Sequence, residues 1–270
     1  MVDRKLGFIG AGNMACALMR GMLTKGVIAA ENIYMYDIAK ERLDTLAAQY
    51  GIHAAGSNDE LADVCDMIIV AVKPYVVEKA LTAMRERMKP EQIIMSIVGG
   101  LSTKTLKKHL DGHARALKIM PNTPAQVNAG VMLISNENDL SQEELAMIKE
   151  LLSSSGLVEM MDEDKMYSFS AVGGTIPAFV AMYVEALADA GVLNGMARDM
   201  AIRIAAQSVM GSAKLIADTG MHPAQAKDMV CTPGGITIQG VYELEKAGFR
   251  GIVMRASTAA AQMNKELMSK

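Results

Sequence analysis

The stretch that most limits what this chain can fold into is LGFIGAGNMA, Leu6 to Ala15. Leu6, Phe8 and Ile9 form a short apolar run that reads as a buried strand. Gly10-Ala11-Gly12 follows at once, and Asn13-Met14-Ala15 opens a helical pattern. This is G-x-G-x-x-A between a strand and a helix, the setting in which such a turn holds a dinucleotide. Gly10 permits the tight turn. Gly12 lacks a Cβ and lets the backbone approach a pyrophosphate. Ala15 allows close packing of helix on strand. The start of the helix offers free N–H groups and a positive dipole end to the phosphates.

The flanking residues agree. Ile33-Tyr34-Met35-Tyr36 reads as a second strand, and it ends at Asp37. An acid about twenty residues beyond the glycines is placed to accept hydrogen bonds from the adenosine ribose. The chain is 51% hydrophobic over 270 residues, enough for a sizeable core in one large or two ordinary domains. Its 30 acids and 27 bases give a net charge of −3 with no basic block, which argues against nucleic acid or an anionic membrane as partner. Cys16, Cys65 and Cys231 are scattered, an odd set that points to a reducing, cytoplasmic setting. The 4 histidines show no metal-ligand spacing with acids or cysteines, and no metal is expected. The first strand begins at Leu6, and no leader segment is expected ahead of it. Ser168 to Val184 is free of charge but broken by Gly173-Gly174 and Pro177, so no membrane span is expected.

As far as residue 162, apolar strand-like runs alternate with helical patterns. Met67 to Val72 and Ile93 to Val98 are β-branched runs suited to central strands. Ser57 and Ser102 are helix N-caps, and Ser141-x-x-Glu144 is a capping box. The alternation predicts an α/β fold with a doubly wound parallel sheet over residues 1–162. From 163 to 270 only helices are legible, several of them apolar on nearly all sides. A domain of that size has little room to bury so many, which predicts intertwined helices in an obligate homodimer, the alternative being a compact monomeric bundle.

Ligands in such folds bind beyond the carboxyl ends of the strands. The fingerprint loop, Ala71-Val72-Lys73-Pro74, Val98-Gly99-Gly100 and Met120-Pro121-Asn122-Thr123 all fall there. Lys73 suits a phosphate or ribose contact, or is simply solvated. In the helical half, Thr232-Pro233-Gly234-Gly235-Ile236-Thr237 is a glycine turn feeding a helix, with no charged side chain between Met229 and Tyr242. Such a helix start is either a carboxylate seat built from N–H groups or an ordinary cap.

These motifs, in this order and spacing, resemble the pyrroline-5-carboxylate reductase family over essentially the whole chain. The matching pieces are GFIGAGNMA (7–15), AVKP (71–74), SIVGGLS (96–102), MPNTPAQVNAGV (120–131), EALADAGV (185–192), HPAQAKDMV (222–230) and PGGITI (233–238). The resemblance implies a Rossmann-type domain followed by an all-α dimerisation domain, with dimers that can build rings. It implies reduction of 1-pyrroline-5-carboxylate to proline with NADPH or NADH. It places the cofactor on Gly10, Ala11, Gly12, Asn13, Met14, Asp37, Ala71, Val72, Lys73, Pro74, Val98, Pro121 and Asn122, with Asn58 at the adenosine end. It places the imino acid on Thr232, Gly234, Gly235, Ile236 and Thr237, with Thr237 hydrogen-bonded to the ring nitrogen. The chain departs from the family where SGSGP is usual and Gly173-Gly174-Thr175-Ile176-Pro177 stands, and where Lys118 replaces an arginine before MPN.

Asp37 favours NADH by repelling a 2′-phosphate, while Lys40 and Arg42 just beyond would attract one. Other readings are a related cyclic-imine or β-hydroxyacid reductase and a catalytically silent Rossmann sensor. The absence of lysine between Ser168 and Met196 opposes the β-hydroxyacid reading, and the intact PGGITI turn opposes the sensor.

Overall fold

The computed structural model describes residues 1–268. Its first part alternates strand and helix: β1 (Leu6–Ile9), α1 (Asn13–Thr24), β2 (Ile33–Tyr36), α2 (Lys40–Tyr50), β3 (His53–Ala54), α3 (Asn58–Val64), β4 (Met67–Val70), α4 (Pro74–Met84), β5 (Ile93–Ser96), α5 (Thr103–Leu110), β6 (Arg115–Pro121), β7 (Gly130–Ser135), α6 (Gln142–Ser153) and β8 (Gly156–Met161). The eight strands form one sheet in the order β3-β2-β1-β4-β5-β6-β7-β8. The central strands β1, β4 and β5 are buried at every position, as a sheet covered on both faces requires.

Alternation along each strand divides the core into two layers. Phe8, Met67 and Ile69 point to one face, where Leu18, Met19 and Met22 of α1, Leu43 of α2 and Ile148, Leu151 and Leu152 of α6 pack on them. Ile9, Ile68 and Val70 point to the other, against Leu61 of α3, Val77 and Leu81 of α4 and Leu106 of α5. Truncating a fully buried side chain such as Leu18 to alanine costs about 2–5 kcal/mol. Cys16 and Cys65 are free buried thiols, and Cys65 lies in the second layer. Burial, then the Asp66 carboxylate, push Cys65 up to about 12, so it behaves as an apolar group.

The sheet is doubly wound as expected but mixed, which corrects the expectation of a parallel sheet at its β6–β7 pair. The first six strands run parallel, but β7 pairs antiparallel with β6, with Ile119 opposite Ile134. The cause is the connection. A parallel return needs a crossover of a dozen or more residues, whereas β6 and β7 are joined by one 3₁₀ turn, Thr123–Val127. α6 supplies a full crossover, and β8 is parallel to β7 again.

Beyond β8 come a 3₁₀ turn (Glu163–Ser168), a π turn (Ser170–Gly174) and the helices α7 (Ile176–Leu193), α8 (Arg198–Thr219), α9 (Pro223–Val230), α10 (Ile236–Lys246) and α11 (Phe249–Met268). Packing divides the described chain into two compact units: Met1–Gly174 joined by the chain from Ala261 onward, and Thr175–Ala260. The sequence suggests a division between 162 and 163. The turns after 163 stay with the sheet because Met166 and Phe169 form a small apolar cluster with Leu133 of β7. Residues 269 and 270, the end of the expected second domain, lie outside the described residues.

The helical unit leaves most of its apolar surface uncovered. Of α8 only Ala201 and Ala205 are buried, and of α7 only Ala188. Val180, Met182, Leu187, Ile202, Ile204, Met210 and Leu215 are exposed. Glu163–Leu193 is long and apolar enough to cross a bilayer by composition, and little of it is buried within the chain. Pro177 and the π turn interrupt it. Uncovered apolar helices of this extent mark a contact surface for another protein or a membrane.

Candidate active site

The Gly10–Ala15 turn lies at the carboxyl end of β1, beside the ends of β2 and β4. A groove of about 480 Å³ opens there, lined by Gly10, Gly12, Asn13, Met14, Asp37, Asn58, Ala71, Val72 and Lys73, among others. Gly10 has φ +102°, and a Cβ on it would lie 2.8 Å from the Ala71 carbonyl oxygen. Gly12 is different: its φ is −67° and the nearest atom to an added Cβ is 3.9 Å away. The fold demands glycine at 10 but leaves space at 12, on the groove side where a ligand would press. Gly12 is also the N-cap of α1, with no side chain capping the helix, so its first N–H groups are free for an anion.

Asp37 orders this loop. Its Oδ2 accepts the Ala11 N–H at 2.6 Å and its Oδ1 accepts the Ala39 N–H at 2.8 Å. A carboxylate with one protein bond on each oxygen still has lone pairs for ribose hydroxyls. Nearby, Arg42 Nη2 donates to Asn13 Oδ1 at 3.3 Å, a cation at the same end of the groove. The Oδ1 atom of Asn58 is buried without a hydrogen-bond partner. An orphaned acceptor on the wall of an open groove is available to a water or to a ligand. Open space at Gly12, an uncapped helix and this orphaned oxygen together fit a dinucleotide.

A second cavity of about 240 Å³ lies at the ends of β5 and β6, and Met14 lines both. Val98, Gly99, Gly100, Lys118 and Pro121 form part of its wall. Lys118 is buried, its Nζ 3.5 Å from Glu163 Oε1.

Ala11, Pro74 and Asn122 line neither cavity. Ala11 is fully buried and acts through its N–H to Asp37. Pro74 is the first residue of α4, where its missing N–H is harmless and Lys73 is the N-cap. The Asn122 amide is spent on the protein: Nδ2 donates to the Gly173 carbonyl at 3.1 Å and Oδ1 accepts the Val131 N–H at 2.8 Å. It fastens the π turn and the start of β7 to the loop that carries Pro121. Sequence reasoning missed Ile38 and Tyr75, which also line the larger groove while 92% and 86% exposed. The signal was there, an apolar residue just past each strand-end motif, but such residues are ordinarily read as core.

The helical unit holds the other motif. Gly235 donates its N–H to the Thr232 carbonyl at 3.0 Å, closing a turn through Gly234 at φ +69°. α10 starts at Ile236 with no side-chain cap, leaving the N–H groups of Ile236, Thr237 and Ile238 open. Thr237 is half-buried in that first turn. Thr232, Gly234, Gly235, Ile236 and Thr237 are thus brought together by one turn, at a helix start with free N–H groups and no charged side chain.

Comparison with known proteins places both parts of the chain in described families. A family model described as pyrroline-5-carboxylate reductase dimerisation matches residues 163–267, and one described as NADP oxidoreductase, coenzyme F420-dependent, matches residues 5–100. The chain is 38% identical to pyrroline-5-carboxylate reductase of Escherichia coli K12 over 266 residues, 98% of this chain and 99% of that protein. It is 37% identical over 270 residues to the pyrroline-5-carboxylate reductase of Methanosarcina acetivorans, covering 100% of both. The crystal structure of Plasmodium falciparum pyrroline carboxylate reductase with NADP bound matches with a TM-score of 0.86 at 31% identity, over 99% of each chain.

Proposed function

The chain belongs to the pyrroline-5-carboxylate reductase family, and from that premise we infer how its residues share the work. It is an NAD(P)H-dependent oxidoreductase that reduces 1-pyrroline-5-carboxylate to proline, and it carries a dimerisation domain. The division of labour proposed is a dinucleotide domain over 1–162 and a helical dimerisation and substrate domain over 163–270. The match of the dimerisation model to 163–267 supports it. Assembly of dimers into a ring, and a cytoplasmic location without membrane or nucleic-acid partners, complete the proposal. The even charge balance, −3 overall, supports the last.

The observation that carries the cofactor assignment is the space kept open at Gly12 beneath an uncapped α1. There the N–H groups of α1 hold the pyrophosphate. Asp37 and Asn58 hold the adenosine ribose end, while Ile38 and Tyr75 give the base an apolar wall. Lys73, the N-cap of α4, would contact the phosphates. Val98 and Pro121, on the wall of the smaller cavity, would hold the nicotinamide end. The Asp37 carboxylate favours NADH over NADPH, because it meets a 2′-phosphate with like charge.

The bound dinucleotide supplies a hydride, which with one proton converts the C=N bond of the ring into the C–N bond of proline. The N–H groups of Ile236, Thr237 and Ile238 hold the substrate carboxylate. Thr232 and the Gly234-Gly235 turn shape the seat. The Thr237 hydroxyl hydrogen-bonds the ring nitrogen, orienting the imine and polarising it. A hydroxyl is a weak acid, so orientation is its main contribution and the proton arrives through it from water.

The test is pyrroline-5-carboxylate-dependent oxidation of NADH and NADPH by wild type and Thr237→Ala. Turnover by the variant should fall about a hundredfold, with dinucleotide affinity unchanged. Unchanged turnover removes Thr237 from the mechanism. A kcat/KM more than about tenfold higher with NADPH, some 1.4 kcal/mol, overturns the assignment of preference to Asp37.

A further inference from the structure

The helix after the glycine loop, α5, is held by a group outside both cavities. Both oxygens of Glu163 accept the N–H of Thr103, the first residue of α5, at 2.9 and 3.2 Å. Oε1 of the same carboxylate lies 3.5 Å from the buried Nζ of Lys118, and Oε2 lies 3.5 Å from Ser135 Oγ. Glu163 is itself fixed: its N–H donates to Glu137 Oε2 at 2.8 Å, which also takes the Ser135 hydroxyl at 2.8 Å. The side chains of Lys118 and Glu163 are only 4% and 13% exposed, the most buried ion pair among the described residues.

The position of this pair matters. Lys118 on β6 and the loop Ile97–Gly100 after β5 line the same small cavity. The middle of the loop carries no packed side chain, and a Cβ on Gly99 or Gly100 would meet nothing within 4 Å. Its start is anchored by Val98, buried, with its N–H on Ser96 Oγ. Its far end is anchored where Thr103 is tied to Glu163. One carboxylate therefore links the strand that forms part of the cavity to the loop that forms another part.

We propose that Glu163 is a positioning residue for the nicotinamide end of the dinucleotide. It acts through Thr103 and Lys118, and touches neither cofactor nor substrate. The proposal rests on the reading that the smaller cavity receives the nicotinamide. A loop held at both ends loses little freedom when the ring binds, and a loop released at Thr103 must be ordered by the ligand itself, at the expense of affinity.

The consequence is selective. Only ligands that carry the nicotinamide should sense the tie, so the test compares each reduced dinucleotide with a probe lacking that ring. NADH is set against ADP-ribose, and NADPH against 2′-phospho-ADP-ribose, by calorimetric titration of wild type, Glu163→Ala and Thr103→Pro. Thr103→Pro removes the donated N–H with no change of charge, at a first helical position that suits proline. It keeps the question open to test if loss of Glu163 destabilises the fold. Both variants should bind the tighter reduced dinucleotide about tenfold more weakly, while its nicotinamide-free counterpart binds within about twofold of wild type. Equal weakening of both ligands, or no change in either, overturns the proposal, since a general structural role does not distinguish the two. Failure of wild type to bind either nicotinamide-free probe overturns the reading of the larger groove, and the proposal with it.

Discussion

A methyl group added at residue 10 and one added at residue 12 meet different surroundings, and the difference separates folding from binding. At Gly10 the added carbon presses on the Ala71 carbonyl, and a φ of +102° strains any other residue. Gly10→Ala is expected to lower stability by about 1–3 kcal/mol. At Gly12 the methyl group has room, so Gly12→Ala should melt within about 0.5 kcal/mol of wild type. It should nevertheless bind dinucleotide at least about tenfold more weakly, because the methyl group occupies the approach of the pyrophosphate. Thermal melts and dinucleotide titration on the two variants check this pair. Loss of stability at 12, or retained binding there, contradicts it. Asp37 was legible from its place at the end of β2, whereas Asn58 came only from the family resemblance. Lys118, Glu163 and Asn122 were not, because a buried ion pair or a spent amide depends on partners far along the chain.

At the scale of elements, caps and turns carry the structure. Ser102 caps α5 by accepting the Thr105 N–H at 3.0 Å, and Ser141 with Glu144 forms the capping box of α6. Glu144 also binds both Nη1 and Nη2 of Arg115 at 2.7 Å, joining α6 to β6. The Arg115 guanidinium holds the Glu144 carboxyl below the usual carboxylate range, despite some opposing burial. A carboxyl with a lowered folded-state pKa adds stability above its unfolded value, and that stability is lost as pH falls through the folded one. Glu144→Gln keeps a capping side chain but loses the charge, and should cost about 1–2 kcal/mol near pH 7. The gap between variant and wild type should close as pH drops below the ordinary carboxylate range, near 4.5. A gap that stays constant to pH 3 contradicts the assignment. These local devices were readable because a serine and an acid three residues on act within one helical turn. Strand direction was not: the apolar run of β7 looks the same either way, and only the short link after Pro121 reverses it.

For the whole molecule, the helical unit explains the assembly. α8 is 22 residues long, yet only two small alanines of it are buried within the chain. Ile202 and Ile204 are 44% and 49% exposed although they lie on different flanks of that helix. A helix uncovered on several sides needs a partner surface, and the family's dimerisation domain supplies the reason. Ile204→Glu places a charge in that surface, and sedimentation should show a shift toward monomer at micromolar concentration. An unchanged dimer mass contradicts the placing of α8 in the interface. The apolar excess of these helices was visible in the sequence. The attachment of Met166 and Phe169 to the sheet was not, because their contacts to Leu133 have no local signature.

Both halves of the proposed chemistry can be seen at once in a crystal structure of the protein with NAD⁺ and proline bound. The predicted result has the pyrophosphate on the start of α1 at Gly12 and the proline carboxylate on the N–H groups of Ile236, Thr237 and Ile238, with the ring nitrogen at the Thr237 hydroxyl. Proline bound away from that turn, or a dinucleotide lying outside the Gly10–Ala15 loop, contradicts it.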